Sequence, residues 1–268
     1  MYTIDLTGKN ALIFGVANQR SIAWAITQTL NQAGARIALS YQNERLRENV
    51  ERLAPALSSA HPEPVEGSKS PLLVQCDVTR EEDLASAFQK IKEQMGQLHM
   101  IVHSIAFAQR EDLGGSFSKT TLEGFRAALD VSAYSLVAIT RHAAPLMADG
   151  GSILTLTFLA SERAFPGYNV MGTAKAALEN EVRQLAYELG PRNIRVNAVS
   201  AGPLDTLSSR VIHGYTDMKR IAAERAPLKR NITHDEVARA ALFLLSDLSS
   251  GVTGEVLHVD AGYNIMGI

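Results

Sequence analysis

The chain has 268 residues, 46% of them hydrophobic and 20% charged. That is enough to bury one large core, and too apolar for disorder to be the default. A net charge of −2 gives no reason to expect nucleic acid or an anionic membrane as partner, and the single cysteine, Cys76, excludes an internal disulfide and a cysteine metal cluster. No leader-like pattern opens the sequence and no apolar run reaches the ~18 residues of a membrane span, so a cytoplasmic protein is expected.

In chain order, apolar runs alternate with amphipathic segments. "NALIFGV" (10–16) predicts a buried strand, and "SIAWAITQTLNQAG" (21–34) a helix with Ser21 as its cap and Gly34 as its stop. A strand at 35–41 and a charged helix at 43–57 follow. Residues 58–71, rich in Pro, Ser, Gly and Glu, read as a surface insertion. The strand 71–78 places Cys76 in a core setting. Then come a helix (80–96), a strand (99–107), a long helix (121–147), a strand (151–159), a helix (168–189) and a strand (194–202). A helix (234–247) and a strand (254–262) end the series.

Strands that are apolar throughout are covered on both faces. The β-α alternation therefore predicts one α/β domain over 1–268, a Rossmann-like doubly wound parallel sheet of about seven strands. Right-handed crossovers gather the strand carboxyl ends at one edge, where ligands bind. The excursion of about 203–231, at that edge, is too long for a plain connection and reads as a helical substrate lid.

A dinucleotide needs a tight turn after the first strand and a helix start aimed at its pyrophosphate. "GVANQRSIAW" offers only Gly15 where G-x-G-x-x-G is common, with Ser21 and Ile22 at the helix start. At the end of the second strand Gln42 is neutral: it can bond a ribose hydroxyl but offers no charge to a 2′-phosphate. This favours NADH over NADPH, with Arg45 as the one residue that could admit the phosphate. Asp77 either caps a helix or bonds the adenine amino group, with Val78 against the ring. Ser104, Ile105 and Ala106 end the fourth strand and are small enough to let a cofactor pass.

Tyr168 and Lys175 stand seven residues apart, which on a helix is about 700° and one face. Apolar and small neighbours ("NVMGTAKAAL") make a merely solvated lysine hard to place. A phenol there can donate to a developing oxyanion, and an ammonium can hold the cofactor ribose and favour the charged side of the phenol. His103 and His142 belong to no zinc pattern and read as structural; no metal is expected.

"GVANQRSIAW", "YQNE", "QCDV", "VHSIAFA", "ERAFPGYNVMGTAKAALE", "IRVNAVSAGPLDTL" and "GEVLHVDAGY" occur in that order. With them the chain resembles the short-chain dehydrogenases/reductases, and within them the bacterial NADH-dependent enoyl-acyl carrier protein reductases of fatty acid synthesis. Ordinary members carry Tyr-x3-Lys; here that place is Gly172, and the spacing is Tyr-x6-Lys, as in the enoyl reductases. The resemblance implies hydride transfer from NADH to an enoyl thioester on acyl carrier protein, with Tyr168 steadying the enolate and Lys175 on the nicotinamide ribose. It implies that Gly15, Ser21, Ile22, Gln42, Asp77, Val78 and Ile105 line the cofactor. Leu204, Asp205, Thr206, Leu207 and Ser208 would flank its pyrophosphate and nicotinamide, Thr206 above all. Ala108, Phe158, Tyr168 and Met171 would meet substrate, and the assembly would be a homotetramer built on helices 121–147 and 168–189. Phe158 departs from the pattern: many members have tyrosine there, and phenylalanine cannot donate a hydrogen bond. A carbonyl reductase and a non-catalytic dinucleotide sensor are the rival readings; the spacing opposes the first and the retained Tyr168 and Lys175 oppose the second.

Overall fold

Residues 4–58, 70–207, 209, 212 and 214–267 are described by a computed structural model. Most of the expected insertion (59–69) and Ser208 lie outside the described residues. The chain runs β1 (Asn10–Phe14), α1 (Ile22–Gln32), β2 (Arg36–Tyr41), α2 (Glu44–Leu53), a single turn α3 (Pro55–Ser58), β3 (Leu72–Gln75), α4 (Glu81–Met95) and β4 (Met100–His103). It continues through α5 (Leu122–Leu129), a π turn (Asp130–Tyr134), α6 (Ser135–Ala143), β5 (Gly151–Thr157), α7 (Asn169–Leu189), β6 (Ile194–Ala201), α8 (Tyr215–Arg225), α9 (His234–Leu245) and β7 (Val256–Val259).

All seven strands form one parallel sheet in the order β3-β2-β1-β4-β5-β6-β7. Alternate side chains of β1 divide between two cores, as the two-residue period requires. Ala11 and Ile13 pack with Trp24 and Leu30 of α1 and Val237 and Leu244 of α9. Leu12 and Phe14 pack with Phe88 and Ile91 of α4, Leu136 and Ile139 of α6, and Leu178 and Val182 of α7. Both faces are thus covered in the middle of the sheet and less so at its two edge strands, β3, where only Val74 is buried, and β7, whose four residues are all half-buried. Growth of the sheet reverses between β1 and β4, which opens a crevice beyond their carboxyl ends.

Three local expectations are corrected. The helix expected over 121–147 is interrupted: the π turn puts Ser132 against the chain after β4, where its hydroxyl accepts from Phe107 N (2.9 Å) and donates to Phe107 O (3.0 Å). Ser21 is the cap residue of α1 as expected, its carbonyl accepting from Trp24 N (3.0 Å), but its side chain makes no bond into the helix; its Oγ accepts instead from Ala17 N (3.0 Å) and Asn18 N (3.1 Å) and closes the preceding turn. The strands β3, β4 and β5 stop two to four residues short of the expected ends; after β4 and β5 the chain leaves the ladder to line the crevice, and after β3 it turns at Asp77 ahead of α4. Cys76 is buried in the core as expected, and burial pushes its thiol up to about 12. Among the described residues no helix is long and apolar enough to cross a membrane, and no group of three or more potential ligands is placed to hold a metal.

Candidate active site

Gly15 follows β1 at φ +97°, in the left-handed region, and a Cβ on it would stand 1.9 Å from the carbonyl oxygen of Ser104. The ends of β1 and β4 therefore meet across a gap that only glycine fills. Ser21 ties the turn that follows, and α1 opens at Ile22 with its amino end at the crevice. One glycine and one serine thus shape the turn where the commoner motif has three glycines.

From this turn a cavity of about 390 Å³ runs along the carboxyl edge of the sheet. It takes in Gly15, Ser21, Ile22, Ser104, Ile105, Ala108, Phe158, Tyr168, Met171, Lys175, Leu204, Thr206 and Leu207 of the expected residues. A volume of this order suits a small-molecule site.

Tyr168 stands just ahead of α7, not within it. Asn169, the first helical residue, has φ +34°, a strained value for a side-chain-bearing residue. Its Nδ2 donates to Gly114 O (2.5 Å), which ties the strained turn to the loop after β4. The Tyr168 ring meets Phe158 edge-on, with centroids 5.1 Å apart, and Phe158 packs in turn on Phe165 at 4.7 Å. Burial, with a smaller contribution from Tyr215, raises the Tyr168 phenol well above its usual range, so it is a hydrogen-bond donor at neutral pH.

Lys175 is only 5% exposed and does not snorkel; its Nζ donates to Leu156 O at 2.8 Å. Burial lowers its pKa to about 8, and the charge of Glu179 opposes the fall. An ammonium has three donors, so two remain for a ligand. Gly172 explains the spacing: a Cβ there would stand 2.8 Å from the carbonyl oxygen of Ala160, so no lysine can occupy the x3 place while the turn 159–161 keeps its position. His103 is structural. It is fully buried, 2.8 Å from Thr155 Oγ1 and 2.8 Å from Ser135 Oγ, and burial followed by the Lys175 charge lowers it to about 3. His142, as expected, serves a surface contact, 2.8 Å from Glu81.

Asp205 lies beside the cavity but turns outward, where Lys219 Nζ donates to it at 2.5 Å. Gln42, Asp77 and Val78 sit beyond the cavity at the ends of β2 and β3. Gln42 Nε2 donates to Asp77 Oδ2 at 2.9 Å, and Thr79 N and Oγ1 both donate to Asp77 Oδ1. Burial raises the Asp77 carboxyl, and those bonds outweigh it, leaving it below its usual value. Asp77 thus holds a turn ahead of α4, where Arg80 is the cap residue. Val78 packs on the neighbouring core.

Sequence reasoning missed Tyr215 and Met218 of α8, Leu113, and the β5 residues Leu156 and Thr157 as cavity residues. The lid assignment covered the first two only as a segment; nothing local marks the others. Tyr215 donates to Leu204 O at 2.5 Å, joining α8 to the chain after β6.

A dinucleotide fits these residues: the backbone cradle at Gly15 excludes a side chain, Ser104 to Ala106 are small, and a buried ammonium with spare donors lies in the same cavity. The description "Enoyl-(Acyl carrier protein) reductase" matches residues 15–264 of the chain. The NADH enoyl-acyl-carrier-protein reductase FabI of Bacillus cereus is 49% identical over 98% of this chain and 99% of its own length. The NADPH enoyl-acyl-carrier-protein reductase FabI of Staphylococcus aureus is 46% identical over 97% of this chain and 98% of its own. Among solved structures, the Bacillus cereus enoyl-acyl carrier protein reductase with NADP+ and indole naphthyridinone superposes with a TM-score of 0.93 at 47% identity, covering 100% of both chains. A reductase from Anaplasma phagocytophilum in complex with NAD superposes at 0.92 with 42% identity, covering 100% of this chain and 98% of its own.

Proposed function

The chain belongs to the enoyl-acyl carrier protein reductase family, and from that premise we propose that it reduces the carbon–carbon double bond of a 2-enoyl thioester on acyl carrier protein, with NADH as reductant and Tyr168 and Lys175 as its working side chains. A bound nicotinamide cofactor supplies the hydride. The single observation that carries the assignment of roles is that a protonated phenol and a tethered, buried ammonium open into one cavity, beside a glycine that forbids the alternative lysine position.

Negative charge develops on the thioester oxygen as the β-carbon gains hydride, and protonation of the α-carbon then discharges the enolate and completes the reduction. The Tyr168 hydroxyl donates to that oxygen, and its raised pKa keeps the proton in place for the purpose. Phe158 and Met171 give the cavity an apolar wall beside Tyr168, and a bound substrate that displaced water there would strengthen the bond. Lys175 holds the ribose of the cofactor with the donors that Leu156 does not use. Gly15, Ser21, Ile22, Ser104 and Ile105 pack along the cofactor; Leu204, Thr206 and Leu207 cover its pyrophosphate and nicotinamide. The segment of about 203–231, with α8, serves as lid over the acyl chain. Ala108 meets the thioester.

For the adenosine end, the neutral Gln42 and the Asp77 carboxylate bonded to it support NADH, since a 2′-phosphate would approach a negative charge. Gln42 and Asp77 then bind the ribose and adenine, with Val78 on the ring. Arg45 of α2 is exposed and is the basic residue on which any NADPH use would depend. Exposed apolar side chains on the long helices, Leu122, Tyr134 and the 87%-exposed Tyr187, support a homotetramer of 29.0 kDa chains.

The test is consumption of reduced nicotinamide with crotonyl and longer enoyl thioesters, offered NADH or NADPH. Oxidation of NADH that depends on the enoyl substrate is expected. Oxidation of NADPH alone would overturn the assignment of Gln42, and no oxidation of either would overturn the activity.

A further inference from the structure

α7 buries two charged side chains one helical turn apart, Lys175 and Glu179, the latter only 6% exposed. Both reach the end of β5, at consecutive residues. Lys175 Nζ donates to Leu156 O at 2.8 Å, and Thr157 Oγ1 donates to Glu179 Oε1 at 2.6 Å. The second bond has the length of a hydroxyl donating to an ionised carboxylate. No direct ion pair joins Lys175 to Glu179, and the roles given to the site so far leave Glu179 without a task. A carboxylate is a costly way to fill a core position that a leucine would fill more cheaply. Its placement makes sense if a buried positive charge nearby has to be kept.

We propose that Glu179 is a positioning residue for the reduction: through Thr157 it fixes the strand end on which Lys175 leans, and through its charge it holds Lys175 in the ammonium form that binds the cofactor ribose. The proposal rests on the ribose-binding role of Lys175.

Other titratable groups around Lys175 do not supply that charge. His103 on β4 is neutral, and Tyr168 is a neutral phenol. On the elements packed against α7, Glu123, Arg126, Asp130, Tyr134 and Glu162 are exposed. Arg192 and Arg195 are bound to carbonyls near the start of β6, at the opposite edge of the sheet. On α6, Arg141 and His142 are paired with Glu81. Burial alone pulls Lys175 towards neutrality, and Glu179 is the charge that opposes it.

Glu179→Gln keeps an acceptor for Thr157 and removes only the charge. The ammonium is lost as pH rises through the Lys175 pKa, so the variant's alkaline limb, in NADH affinity and in kcat/KM alike, moves to lower pH. A displacement of about one unit makes a fall of about fivefold at pH 8 and leaves pH 6 within about twofold. Thr157→Val keeps the charge and loses the tether: kcat falls severalfold at every pH, with the limb in place. A stability cycle gives a second readout that survives poor folding of the single variant. Glu179→Gln is expected to lower the melting temperature of the parent, and to raise it in a Lys175→Met background, where the carboxylate has lost its counter-charge. An unmoved limb, an equal fall at pH 6 and pH 8, or the same sign of melting shift in both backgrounds overturns the proposal. Should Lys175→Met bind NADH as the parent does, the ribose role itself fails. Should it lose NADH while Glu179→Gln keeps the parental limb, only the Glu179 proposal falls.

Discussion

Gly172→Ala sets two known effects against each other. Inside a helix, glycine to alanine ordinarily stabilises by about 1 kcal/mol. At 172 the new methyl would stand 2.8 Å from the Ala160 carbonyl oxygen, where ordinary contact begins at 3.4 Å. The obstacle is backbone, not the free end of a side chain, and overpacking of that kind costs roughly 1–3 kcal/mol. The balance is a loss of up to about 2 kcal/mol, which for a chain near this size lowers Tm by roughly 4–8 °C. Relief requires the turn 159–161 to move away from α7. Phe158 directly precedes that turn and packs edge-on against Tyr168, so the shift reaches the reacting phenol. Turnover should fall by about tenfold, the scale on which small misplacements act. Thermal denaturation and NADH consumption on the same preparation measure both. A Tm that rises by several degrees with turnover intact would refute the reasoning, since it would mean that the turn yields freely and that Gly172 does not dictate the Tyr-x6-Lys spacing.

Tyr168→Phe should reduce turnover by about 10²-fold or more while NADH affinity stays within about twofold; normal turnover in a steady-state assay contradicts the role given to the hydroxyl. Asn169→Ala loses the bond to Gly114 and leaves alanine at φ +34°, so it should destabilise by about 1 kcal/mol and raise KM for the enoyl substrate. Asn169→Gly relieves the backbone and should recover the stability but not the KM; equal KM values for the glycine variant and the parent would dismiss the tether. Glu181 on α7 is raised by burial to about 7, from 4.5 unfolded. Between those values the folded chain holds the extra proton, so stability declines as pH rises through that window. Glu181→Gln should therefore melt above the parent at pH 8 and match it at pH 4, and a pH-independent difference would reject the linkage.

The architecture was readable because fully apolar strands and amphipathic helices follow from opposite burial patterns, and each apolar run from 10–16 to 254–262 became a strand. Tyr168 and Lys175 stand out as candidates because a charge amid small apolar neighbours is chemically conspicuous, and the structure brings both to one cavity. Ser21 takes the cap position that the sequence suggests, but the partner of its side chain was not readable: nothing in the residues shows that its hydroxyl turns back to Ala17 and Asn18. The π turn was hidden because Ser132 adopts it to meet Phe107, 25 positions earlier in the chain. The Gln42–Asp77 bond spans 35 positions in the same way. Glu179 was invisible in "ALENEV", where two carboxylates two positions apart look like solvated surface; only the end of β5 shows that one of them is in the core.

One physical cause ties these side chains together. The burial that would sharpen a hydrogen bond from Tyr168 to substrate also penalises every charge beside it. It raises the phenol, which favours the proposed role, because a protonated donor is what a thioester oxygen would need. It lowers Lys175 to about 8, which opposes the proposed role, because ribose binding of that kind would use an ammonium. At neutral pH the site therefore works about one unit from losing its positive charge. It follows that cofactor affinity should be steady below pH 7 and should weaken across pH 8, on the side set by Lys175 and not by Tyr168. A modest additional charge, supplied from one helical turn away and without contact to any ligand, is then enough to decide whether the lysine can do its work.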